Sequence, residues 1–167
     1  MTSGRNVEKA AGPDEGSWIY LCASGTGLSA TSSLFERVVE ACEKSGWPAI
    51  SCSPAPGKAD VDPGRFFQGV GHAVGHADVV IALIDGESDL ANAELALAYS
   101  HRRPIVGVKL STETGSPLQS WLAGYERART IDCSDPDECF HGLRKVFADP
   151  EFAETVRQAA GESFEHA

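Results

Sequence analysis

No apolar run in this 167-residue chain approaches the roughly 20 residues that a membrane-crossing helix needs. Basic residues are scarce: 14 lysines and arginines stand against 24 aspartates and glutamates, a net charge of −10. That deficit argues against a nucleic-acid polymer as partner, since such partners need a basic surface. It leaves room for a small anionic ligand, because helix N-termini and backbone N–H groups hold phosphate without net positive charge. The five cysteines, Cys22, Cys42, Cys52, Cys133 and Cys139, show neither CxxC nor zinc spacing. Reduced thiols in a cytoplasm are the simplest account of an odd, scattered set. Residues 1–16 lack an apolar signal region and read as a disordered leader. Internal repeats are absent.

What is present suits a single globular domain over residues 17–161, followed by a polar tail over 162–167. Its 42% apolar and 23% charged residues are ordinary for a soluble fold. The most informative stretch is residues 78–110. Residues 79–84 are an unbroken, β-branched apolar run, the pattern of a strand buried on both faces. A polar loop over 85–89 follows, then an alanine- and leucine-rich helix over 90–100, then a second apolar strand over 105–110. That is one βαβ crossover, and ligands in such sheets sit beyond the carboxyl ends of the strands. Glu94 lies in the first turns of the helix on the side expected to face that crevice.

The remaining segments repeat the alternation. A strand over 18–22 precedes a small-residue loop, a helix beginning near 31–33 and closed by Gly46, and a strand over about 49–52. After a Pro/Gly loop over 53–64, a glycine-interrupted helix over 65–77 leads into the central unit. A short helix over 116–124, a strand over 130–133 and helices opened by Pro136 and Pro150 complete the chain. The expectation is a doubly wound α/β domain with about five parallel strands, flavodoxin-like in order.

Each candidate site residue has a plain alternative. The first loop, Ser24, Gly25, Thr26 and Gly27, can bring backbone N–H groups to an anion, or can be a tight turn with a serine cap. It is neither GxGxxG nor a Walker loop. Glu94 could be a solvated helix carboxylate, but its setting in an otherwise apolar run suits a half-buried nucleophile or base. Ser88 and Asp89 are helix caps or ligand contacts. His72 and His76 share a helix face at i, i+4, and no third ligand of suitable spacing stands out, so no metal is assigned. His72 is retained as a candidate ligand contact.

Three segments, taken together, resemble the nucleoside 2-deoxyribosyltransferase superfamily, and within it the 2′-deoxynucleoside 5′-monophosphate N-hydrolases. They are residues 20–27 running into 34–38, residues 77–82, and residues 88–98 closed by Pro104 and Ile105. The resemblance implies a flavodoxin-like fold, a nucleoside or nucleotide substrate, and N-glycosidic cleavage with no metal or organic cofactor. It also implies a homodimer or higher homo-oligomer in which neighbouring subunits complete each site. Glu94 matches the glutamate that attacks the anomeric carbon, and Tyr20 the tyrosine that orients it. Ser88, six residues before Glu94, matches a 5′-phosphate contact, and residues 24–27 would complete the cradle. The chain also departs from the pattern. Val70 stands eight residues before Asp78, where the family carries an aspartate that assists the departing base. Thr26 replaces an arginine of the hydrolase loop, and Leu90, Ala91, Asn92 and Ala93 replace its glycine pattern. Gln68 or His72 would have to do the aspartate's work, and Ser116, Gln119 and Ser120 are candidates for a cross-subunit contact. Three readings follow: nucleotide hydrolysis, base exchange, and a non-catalytic nucleotide-binding module.

Overall fold

The computed structural model describes residues 16–23, 30–50, 63–84, 89–110 and 117–164. Over these, strands and helices alternate from β1 (Ile19–Ala23) through α1 (Ala30–Lys44), β2 (Ala49–Ile50), α2 (Pro63–His76) and β3 (Val79–Ile84). The chain continues with α3 (Asp89–Ser100), β4 (Ile105–Leu110), α4 (Pro117–Ala123), β5 (Ala128–Cys133), α5 (Pro136–Ala148) and α6 (Pro150–Phe164). The strands form one sheet in the order β2-β1-β3-β4-β5, every neighbouring pair parallel. This is the doubly wound order expected from the sequence. Helix α6 runs on to Phe164, past the point where the sequence turns polar. No helix among the described residues is long and apolar enough to cross a membrane.

Strand alternation divides the core in two. Ile19 and Leu21 of β1, with Val79, Ile81 and Leu83 of β3, pack under α1 and α5 through Leu34, Val38 and Leu143. Tyr20 and Cys22, with Val80, Ala82 and Ile84, face the other way and pack under α2, α3 and α4 through Val70, Val74, Leu95 and Leu122. Both faces of the sheet are covered, which is why β3 reads as a continuous apolar run. On the second face Cys22 lies opposite Ala82, and Ala82 opposite Gly107. This row of small residues lets the covering helices approach closely. A Cβ at Gly107 would come within 2.8 Å of Leu122 Cδ1 and 3.0 Å of Ile84 Cδ1.

Two helix ends show the same backbone problem solved with different residues. At the end of α1, Gly46 N–H bonds Glu43 and Trp47 N–H bonds Cys42, with Gly46 at φ 84°. That is a Schellman motif with glycine at its left-handed position. At the end of α3, Arg102 N–H bonds Tyr99 and Arg103 N–H bonds Ala98, but the left-handed residue is Arg102, at φ 54°. Its carbonyl accepts from Arg127 Nη1 at 2.9 Å, and Arg127 Nη2 pairs with Glu162 at 2.7 Å. The strained turn is thereby tied to α6. Left-handed backbone is unfavourable for a residue with a Cβ. Arg102→Gly should therefore raise stability by about 1 kcal/mol in urea unfolding, since glycine adopts this conformation freely.

Candidate active site

Strand β1 and helix α3 bring two residues far apart in sequence into contact. Tyr20 O–H donates to Glu94 Oε1 at 2.7 Å. Tyr20 is fully buried and Glu94 is 2% exposed. The reading of Glu94 as a solvated helix carboxylate therefore does not hold, because α3 turns it onto the sheet face shared by Tyr20, Cys22 and Leu95. Burial pushes the Glu94 carboxyl above the usual glutamate range, opposed by hydrogen bonding to the Cys22 thiol and the Tyr20 hydroxyl. Glu94 Oε2 accepts no hydrogen bond among the described residues. A buried carboxylate with one oxygen anchored and its pKa raised is equipped to act as nucleophile or base. The pair lies between β1 and the helix that follows β3, at the point where the order of winding reverses.

The other sequence candidates distribute differently. Ser24, Gly25, Thr26, Gly27 and Ser88 lie outside the described residues, as does Ser116. Asp89 is the first residue of α3. His72 is exposed on α2, its ring 4.3 Å from that of His76. Among the described residues no group of three metal-binding side chains includes this pair. Gln68 is also exposed. Val70, by contrast, is 1% exposed and packs in the layer that contains Tyr20 and Cys22. The position that would carry an acid in the family thus faces the site layer with an apolar side chain.

No protein-family model matches the chain, and no curated protein does so either. Solved structures do. A CMP N-glycosidase from Clostridium botulinum, BcmB, superposes with a TM-score of 0.58 at 16% identity, over 75% of this chain and 96% of the neighbour. A conserved protein from Enterococcus faecalis superposes with a TM-score of 0.51 at 16% identity, over 77% of this chain and 98% of that one. The chain shares the doubly wound α/β fold of these two structures. The glycotransferase of kitacinnamycin matches with a TM-score of 0.50 at 17% identity, over 99% of this chain but 44% of its own length. At such identities the likeness is one of fold.

Within that fold, Cys22 is the contact that sequence reasoning missed. A strand buried on both faces shows no alternation of apolar and polar residues, so nothing marked Cys22 as sharing a face with Tyr20. The i, i+2 relation to Tyr20 was the only available signal.

Because the Glu94 pKa is raised on folding, its contribution to stability is complete below the unfolded-state value and is lost as pH rises through the folded one. Glu94→Gln, which removes the buried charge, should therefore stabilise the fold at pH 8 by about 1 kcal/mol. The gain should shrink on acidification and vanish below about pH 4, where both states of the wild type are protonated. Thermal unfolding of the two proteins across pH 4–8 measures it.

Proposed function

We propose that this protein is an N-glycosidase that hydrolyses a nucleoside 5′-monophosphate, ribo or deoxy, to free base and sugar phosphate. The buried Tyr20–Glu94 hydrogen bond carries the proposal. One Glu94 oxygen attacks the anomeric carbon, the carbon–nitrogen bond breaks, and its electron pair leaves with the base, which takes up a proton. Water then cleaves the glycosyl ester and regenerates the carboxylate. Tyr20 holds Glu94 in the attacking orientation. Ser24, Gly25, Thr26 and Gly27, with Ser88, are assigned the phosphate side of the site, where the start of a helix favours an anion, and Asp89 is assigned a separate contact to the substrate. His72 is assigned a contact to bound nucleotide. Cys22, Cys42, Cys133 and Cys139 form no disulfide among the described residues, which suits a reducing cytoplasm.

One observation favours a second reading. With Val70 buried and apolar, α2 offers no acid at that position to the departing base, and a non-catalytic nucleotide-binding module remains the rival. Chromatography of free base released from a panel of nucleosides and nucleoside 5′-monophosphates separates them. Release from monophosphates, with Glu94→Ala reducing kcat by about a thousandfold or more, supports hydrolysis. Tight binding without product favours the rival, and formation of a new nucleoside on adding a second base would instead mark base exchange.

Self-association through α3 and α4 is also proposed. The exposed residues Asn92, Ala96, Tyr99 and Ser100 of α3 include no charge. Tyr99 packs edge-on against Trp121 at 5.2 Å and Tyr125 at 5.1 Å, yet remains 51% exposed. Beside them a recess of about 500 Å3 is lined by Tyr99, Ser100, Arg102, Gly124, Tyr125 and Glu126. Arg102 and Glu126 on the rim of this recess would allow opposite charges to meet across a two-fold axis. Sedimentation velocity should show a dimer for the wild type and a monomer for Trp121→Glu; a monomeric wild type would refute the assignment.

A further inference from the structure

Burial makes Glu94 unusually sensitive to whatever donates to it, because a charge in a low-dielectric layer depends on its few partners. Tyr20 is one such donor. Cys22, two residues on, leaves β1 on the same side, is 1% exposed and packs in the same layer. It pairs in register with Ala82 of β3, and its thiol hydrogen-bonds the Glu94 carboxyl that α3 brings over the sheet.

We infer that Cys22 is a positioning residue for Glu94: with Tyr20 it holds the carboxylate from the β1 side while Oε2 is left for attack. The inference rests on the glycosidase reading of Glu94. A thiol is a weak donor, so it orients a carboxylate while withdrawing less nucleophilicity than a hydroxyl would. Its hydrogen bond opposes the upward push that burial exerts on Glu94. No other described titratable group competes for this role. Strand β3 is apolar throughout and α2 contributes Val70 and Val74 to the layer, while His72 and His76 are exposed. The thiol therefore acts on the charge state and orientation of Glu94 as well as on packing.

The test compares Cys22→Ala, Cys22→Val and Cys22→Ser with wild type by carbon-13 NMR titration of labelled glutamate, the Glu94 resonance assigned with Glu94→Gln. Alanine and valine should both move the Glu94 midpoint to higher pH, although valine refills the volume, and serine should bring it back to the wild-type value or below. In the base-release assay at neutral pH, alanine and valine should lower kcat about tenfold with KM unchanged, and serine should recover most of it. A Glu94 midpoint that is the same in wild type, alanine and valine variants overturns the inference, as does a serine variant that behaves like valine. A wild-type protein that releases no base would sink the glycosidase reading instead, and the titration would still decide whether Cys22 acts on Glu94.

Discussion

One carboxylate placed in an otherwise apolar layer organises this molecule. Glu94 is 2% exposed among Tyr20, Cys22, Leu95 and the branched side chains of β3. An ionised carboxylate in such a place is unfavourable unless hydrogen-bonded, and here its donors come from β1. The arrangement requires β1 next to β3, which the parallel register supplies. On the same face Gly107 lets Leu122 of α4 come close over the sheet. Sheet order, register and side-chain size thus converge on the surroundings of a single oxygen pair.

The two faces of the sheet divide the labour. Under α1 and α5 the core is aliphatic and aromatic, and burial, with a smaller push from Glu43, raises its Cys42 thiol to about 12, which disfavours the nucleophilic thiolate. The face under α2, α3 and α4 carries the hydroxyl, thiol and carboxylate that can do chemistry. That same face continues outward into the aromatic group of Tyr99, Trp121 and Tyr125. Helix α3 links the two, contributing Glu94 inward and Tyr99 outward. Any partner seated on its outer side would therefore lie on the element that holds Glu94.

Much of the fold was legible because α/β architecture writes itself in local patterns. The β-branched run of β3, the alanine-rich α3 and the glycine that closes α1 each reflect a constraint confined to a few neighbouring residues. Strand β1 was legible as a strand but not as a surface, since burial on both sides erased the period-2 signal that would have separated Tyr20 and Cys22 from Ile19 and Leu21. The left-handed turn at Arg102 was illegible for a related reason: arginine carries no turn signal, and long-range ties from Arg127 hold it there.

By itself the amino-acid sequence determined the succession of strands and helices, the doubly wound class, and the short roster of polar residues set in apolar surroundings. These follow from backbone geometry and local hydrophobic pattern. Only the tertiary structure decided that Glu94 is buried rather than solvated, and that Val70 and Cys22 share the layer of its partner Tyr20 while His72 is exposed. Each of those outcomes depends on how a helix rolls over a sheet, and that angle is set by packing between segments distant in the chain.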